Sequence, residues 1–176
     1  MTNSTDSRET LIQKVERAIE DKVFLVIETA RIWVRKNPTK EFSANYEAYE
    51  WMYNLSKESS MEGITSLCRN APLPLLDIDC VASILLFCIL ASLKSTPDTI
   101  EAKYIITELS ARDQSYYSHF FGKKAAKVRQ HLLTRQRDLY CLLSIEEREI
   151  AALFLKYCIS KNPIENKDLS SLYLEG

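Results

Sequence analysis

Glycine and proline are scarce in this chain of 176 residues, which has three glycines and five prolines. The hairpin dipeptides Asn-Gly and Asp-Gly are absent, and no segment alternates apolar and polar residues as a half-buried strand does. Most of the few glycines and prolines stand between long segments whose apolar residues recur every three to four positions. The sequence therefore predicts an all-α fold, an irregular single-domain bundle of about six helices.

The motifs of several enzyme classes are also missing. The chain has no GxGxxG, no GxxxxGK[ST] and no GxSxG, which argues against a Rossmann site, a P-loop and a nucleophile elbow. It has only two histidines, and neither has an acidic residue three or four positions away, so an HExxH zinc site is not predicted. We expect no metal and no cofactor.

The five cysteines are an odd number, form no CxxC pair and have mostly apolar neighbours. This pattern is typical of reduced thiols in the core of a cytosolic protein. The first residues, Met1 to Leu11, contain no apolar run of the kind found in a secretion signal. We expect a cytoplasmic location. The five cysteines are Cys68, Cys80, Cys88, Cys141 and Cys158.

Charge of one sign does not dominate the composition, since 23 basic and 24 acidic side chains give a formal net charge of -1. Bulk charge therefore does not attract the chain to nucleic acid. Any charged partner must be recognised by a local group of residues.

The most apolar segment lies between Asp77 and Ser95. Its run without a charged residue, Cys80 to Leu93, rises only about 21 Å as a helix, against roughly 30 Å of bilayer hydrocarbon. The segment 79–94 is therefore predicted to be a central core helix and not a membrane span. We expect one helical domain over residues 1–162, followed by a loose tail over residues 163–176.

Several residues mark the ends of the predicted helices. Asp77 stands where an N-cap belongs, and the helix that carries Ile100 to Leu109 is predicted to kink near Ser110. The segments Ser59 to Glu62 and Ser144 to Glu147 both resemble S-x-x-E capping boxes. A helix is expected to finish near Gly122.

Three elements follow one another in a familiar order: Leu11 to Ile19, the apolar central helix, and Leu143 to Glu147 leading to Phe154 to Tyr157. This order resembles a group of uncharacterised bacterial helical proteins of unknown function. The resemblance implies an all-helical fold and supplies no catalytic residue.

One short motif could carry chemistry. Arg112 and His119 are seven residues apart, which would place them on one face, two turns apart, if the segment is helical. Arg112-Asp113 with His119 resembles the arginine-histidine signature of HEPN-type ribonucleases. That resemblance implies that Arg112 and His119 help to activate the RNA 2'-hydroxyl, in a site completed across a homodimer. The alternative is an ordinary helical arginine and a histidine flanked by aromatic residues.

A second feature is basic. Six lysines and arginines and no acidic residue lie between Gln114 and Asp138. Aromatic residues precede these cations, so the two groups together could stack on bases and bind phosphates. The alternative is a solvated helix face. The predicted nucleic-acid-binding residues of this basic helix, 123–137, are Lys123, Lys124, Lys127, His131 and Arg135.

Three functions from different classes follow from these patterns. The first is a non-enzymatic helical protein that binds another protein or itself. The second is an RNA or DNA binder that uses the basic helix, and the third is a HEPN-like ribonuclease that uses Arg112 and His119. The sequence favours the first, with a protein or a second copy as partner and no membrane.

Overall fold

A computed structural model describes residues 4–38, 45–95, 100–110, 112 and 114–162. Within these residues the chain forms nine α-helices and no β-strand. The helices are α1 (Ser4–Ile19), α2 (Val23–Lys36), α3 (Tyr46–Leu55), α4 (Met61–Cys68), α5 (Ile78–Lys94), α6 (Ile100–Leu109), α7 (Gln114–Phe121), α8 (Ala125–Leu142) and α9 (Ile145–Lys161). Two short 3₁₀ turns, Leu73–Leu75 and Gly122–Lys124, precede α5 and α8.

The all-α bundle predicted from the sequence is confirmed. The described residues form nine helices and not about six, because long periodic segments are divided, for example between Leu109 and Gln114. The predicted tail, residues 163–176, lies outside the described residues.

Helix α5 is the centre of the fold, as its composition predicts. Twelve of its 17 residues are buried. It packs against α1, α2, α4, α6, α8 and α9, which is why it is apolar on nearly all sides. No helix in the described ranges has the length and apolar character that a membrane crossing requires.

The ends of the helices follow local chemistry in some places and long-range contacts in others. The capping box at α9 is present, because Ser144 Oγ accepts a hydrogen bond from the Glu147 amide and Glu147 Oε2 accepts one from the Ser144 amide. At α4 the capping residue is Ser60, which accepts from the Gly63 amide at 3.0 Å, and not the predicted Ser59. The capping serine is the residue directly before the first helical turn.

Asp77 is the N-cap residue of α5, but its side chain does not cap the helix. Its Oδ2 instead accepts a hydrogen bond of 2.8 Å from the indole Nε1 of Trp33 on α2. The carboxylate thus fastens α2 to the start of the central helix. The sequence identified the position correctly and missed the partner.

Helices α6, α7 and α8 follow one another along one side of the bundle. The chain passes from α7 to α8 through Gly122, whose φ of 52° lies in the left-handed region that glycine adopts without a steric penalty. Helix α7 packs on α8, and α8 packs on α5 and α6. The buried side of α8 consists of Ala125, Gln136 and Leu139, and Tyr117 is the buried residue of α7.

Candidate interaction surfaces

Arg112 and His119, the predicted catalytic pair, do not share one helix. Helix α7 begins at Gln114, so Arg112 precedes it and the two-turn spacing does not apply. The Arg112 guanidinium lies over the ring of Tyr116, with Cζ 4.7 Å from the centroid, and the Arg112 amide donates to the Tyr117 hydroxyl. A catalytic role for the pair stays a prediction.

His119 itself is exposed. Its ring packs edge-on against Phe120 at a centroid distance of 5.0 Å.

Arg135 belongs to the interior and not to a basic surface. Its Nε donates to Glu108 Oε2 at 2.8 Å, and its NH2 nitrogen donates to the carbonyls of Leu73 and Leu76 at 2.8 and 2.9 Å. Only 17% of the Arg135 side chain and 3% of the Glu108 side chain are exposed. Burial raises the pKa of Glu108, while the hydrogen bond and charge of Arg135 act to lower it. Arg135 is thus committed to joining α8, α6 and the turn before α5.

A glutamine next to Arg135 shows how polar this part of the interior is. Gln136 Nε2 donates to the Thr107 carbonyl at 2.8 Å. Its buried Oε1 has no hydrogen-bond partner among the described residues. The contact between α6 and α8 therefore depends on hydrogen bonds as well as on apolar packing.

The remaining predicted cations lie near the start of α8. Lys123 and Lys124 are in the 3₁₀ turn, Lys127 and His131 are on α8, and all four are exposed. None of the three lysines has a carboxylate partner within the described part of the chain. Among the described residues, no neighbouring carboxylate therefore neutralises the charge of these lysines.

Three aromatic residues precede these lysines in the chain, on α7, the helix that packs against α8 and the 3₁₀ turn. Tyr116, Phe120 and Phe121 on α7 are exposed, and 63% of Phe120 is accessible. The rings of Tyr116 and Phe120 contact each other at a centroid distance of 4.9 Å. Tyr117 is buried and holds the helix in place. We call the following set the aromatic-basic surface: Tyr116, His119, Phe120, Phe121, Lys123, Lys124 and Lys127.

A second exposed surface lies at the other end of helix α8, and sequence reasoning missed it. Phe24 and Leu25 in the first turn of α2 are 72% and 61% exposed, and Ile145, the first residue of α9, is 75% exposed. Leu142 at the end of α8 is also exposed. We call these four residues the apolar end.

An ion pair joins the start of α2 to the start of α9, the two helix starts that carry Phe24, Leu25 and Ile145. Lys22 Nζ, just before α2, contacts Glu147 Oε1 in the first turn of α9 at 2.6 Å. A depression beside this pair is lined by side chains of both signs, including Arg17, Asp21 and Glu146. The charged border of the apolar end is therefore mixed.

The sequence did contain a signal for the apolar end. Five consecutive apolar residues run from Val23 to Ile27. A helix on the outside of a bundle buries only a stripe about 100° wide, so five in a row cannot all face the core. Val26 and Ile27 are buried, which leaves Phe24 and Leu25 outside.

The cysteines do not form a catalytic or metal-binding group in the described structure. Cys68, Cys80, Cys88 and Cys158 are buried thiols outside any disulfide, and Cys141 is exposed. Burial raises the pKa of Cys80 and of Cys158 to about 12, and for Cys80 the charges of Asp77 and Asp79 contribute too. These thiols are therefore poor nucleophiles. Over the described ranges, no three histidine, cysteine or acidic side chains are grouped so as to hold a metal ion.

No protein family, curated protein or solved structure matches this chain. The resemblances to uncharacterised bacterial helical proteins and to HEPN-type ribonucleases therefore stay predictions.

Proposed function

We propose that this protein is a non-enzymatic helical protein that associates with a second copy of itself through the apolar end. The observation that carries the proposal is the exposure of Phe24, Leu25 and Ile145 at one end of the bundle. Large apolar side chains grouped on a surface, with polar residues around them, are typical of protein-protein interfaces. The raised pKa of the buried thiols Cys80 and Cys158 supports a binding role over nucleophilic chemistry, and cysteines outside any disulfide support a cytosolic location.

The charges around the apolar end favour a second copy as the partner. In a two-fold dimer the same surface meets itself, so each charged residue must find its opposite on an identical surface. The border of the apolar end contains side chains of both charges. The basic residues are Arg17 and Lys22, and the acidic residues are Glu20, Asp21 and Glu146. The net charge of -1 also leaves little overall repulsion between two copies.

Sedimentation velocity and light scattering after gel filtration test this proposal directly. We expect the wild-type chain to be a dimer, and Phe24→Glu and Ile145→Glu to weaken the dimer by roughly 30-fold or more, as loss of a central interface residue does. Both substitutions place an acid in the first turn of a helix, where the helix dipole favours it, so folding should persist.

Leu75→Glu is the matched control. Leu75 is 47% exposed, the same fraction as Leu142, but it lies in the 3₁₀ turn that packs beside α6. This control should dimerise like the wild type. A wild-type chain that is monomeric at about 100 μM, a concentration well above the Kd of a stable dimer, would refute self-association. A dimer that survives both glutamate substitutions would refute the apolar end as its interface.

A further inference from the structure

The lysines at the start of α8 oppose the electrostatics of their own helix. The N-terminal end of a helix carries partial positive charge and is stabilised by acidic side chains. Helix α8 has no acidic residue in its first turn, and Lys123 and Lys124 precede it directly. Lys127 adds a third cation one turn later. Side chains that oppose the local electrostatics of a helix are expected at functional or strained sites.

The exposed aromatic rings of α7, which precede these lysines in the chain, are not needed to fill the core. Tyr117 already anchors α7, with 3% of its surface exposed. Phe120 and Phe121 point their surface to solvent instead, and Tyr116 contacts Phe120 on the outside of the helix. Exposed aromatic surface lowers solubility, so a ligand that covers it would offset that cost.

The charge of the aromatic-basic surface excludes a second copy as its occupant. Between Gln114 and Arg137 the chain has no acidic residue, so two copies brought together here would place lysines against lysines. The ligand must therefore be an anion that also presents flat apolar faces. Single-stranded nucleic acid has both, because its phosphates are negative and its unpaired bases expose their ring faces. A duplex keeps the ring faces of its bases stacked inside and exposes only base edges and phosphates, so the aromatic side chains would have no ring face to stack on.

We propose that the aromatic-basic surface binds single-stranded nucleic acid, with Lys123, Lys124 and Lys127 against the phosphates and Phe120 and Phe121 stacked on bases. The site lies on α7 and α8 and is separate from the apolar end. Binding is independent of base sequence, because ring faces and phosphates occur at every nucleotide. Arg135 takes no part, since it is hydrogen-bonded to Glu108 in the interior.

Fluorescence anisotropy with labelled oligo(dT) and oligo(U) of about 15 nucleotides, a length near the usual site size, tests the site in the full chain. We expect the double substitution Lys124→Glu with Lys127→Glu to weaken binding to both oligonucleotides by a similar factor. The slope of log K against log salt should fall by about 0.7 for each phosphate contact removed. Arg137→Glu is the matched control, because Arg137 is exposed on the same helix but lies three turns away from Lys127 and next to Asp138. It should change affinity little.

Phe120→Ala tests the stacking half of the site. Loss of one stacked base should weaken binding by about 5-fold to 100-fold and leave the salt slope unchanged. Far-ultraviolet circular dichroism should be unchanged, since the side chain is mostly exposed.

Two results would overturn the proposal. One is a wild-type chain that fails to bind either oligonucleotide at about 50 mM salt, where phosphate contacts are strong. The other is binding that Phe120→Ala does not alter and that polyglutamate or duplex DNA matches, which would show attraction to polyanions in general. Neither result bears on the oligomeric state, so self-association through the apolar end stands or falls separately.

Discussion

The Arg135 guanidinium donates a hydrogen bond of 2.8 Å to the Glu108 carboxylate inside the bundle, and thereby connects α8 to α6. The same guanidinium reaches the carbonyls of Leu73 and Leu76 in the turn before α5. One side chain thus ties three parts of the chain together. Its value to the fold comes from satisfying groups that would otherwise be buried without partners.

Arg135→Ala should lower the free energy of unfolding at pH 7 by about 3 kcal/mol, because Glu108 is left as a buried carboxylate without a counter-charge. The loss should be smaller at pH 5. Burial already raises the pKa of Glu108, and removing Arg135 raises it further, so the carboxyl takes up a proton more readily in the variant. A folded-state pKa above the unfolded one makes stability fall as pH rises.

Urea denaturation at the two pH values measures this effect. Arg137→Ala, at an exposed arginine on the same helix, is the control and should cost about 0.5 kcal/mol or less. Equal and small losses for Arg135 and Arg137 would contradict the buried ion pair.

The position of Arg135 also shows why helical periodicity alone cannot tell which cations of α8 are exposed. Three-to-four spacing places Arg135 on the same face as Lys127 and His131, and nothing in that spacing distinguishes a buried arginine from an exposed one. Its partners lie 27 to 62 positions away in the chain. A contact of that range depends on how the helices pack, which local periodicity does not contain.

Features encoded within a single segment were predicted well. Helix α5 carries its own signal in length and hydropathy, and the capping box of Ser144 and Glu147 is complete within four residues. The bond between Asp77 and Trp33 spans 44 positions and was missed. The assumption that Arg112 lies on the same helix as His119 failed for another reason, because no glycine or proline marks the break before α7.

Glu147→Gln should lower stability at neutral pH and lose this effect in acid. Burial raises the pKa of Glu147, but the hydrogen bond and charge of Lys22 and the hydrogen bonds from Ser144 outweigh burial, so the pKa is lowered from its ordinary value of 4.5. A lowered pKa contributes stability above about pH 4.5 that disappears as pH falls through the folded-state value.

Glutamine can still accept the amide bond of the capping box, so the substitution isolates the charge. We expect a difference of about 1 kcal/mol at pH 7, as for a partly buried ion pair at a helix start, and a smaller difference at pH 3. Thermal melts of both proteins across this range provide the measurement. A difference that does not depend on pH would show that the carboxylate charge has no role.

Leu86→Asp should prevent folding. Leu86 is buried on α5, where an unpaired charge costs several kcal/mol, a large part of a typical total of about 5 to 15 kcal/mol. The milder Leu86→Ala should remain folded and lose about 2 to 5 kcal/mol through the cavity it leaves. Circular dichroism melts compare the two, with Leu75→Asp as the exposed control. An unchanged melting temperature for Leu86→Asp would mean that α5 is not the core.

His119→Ala separates binding from catalysis. The Arg112 guanidinium lies on the ring of Tyr116, outside the helix that carries His119, so the pair lacks the shared helical face that the ribonuclease interpretation assumes. We expect both the wild-type protein and the variant to leave a labelled RNA intact on a denaturing gel, and to bind it with affinities within a few-fold. A catalytic histidine would behave differently, because it transfers the proton and contributes little to phosphate binding. Cleavage by the wild type that His119→Ala and Arg112→Ala each abolish, with RNA binding preserved, would establish the ribonuclease and refute a purely binding role.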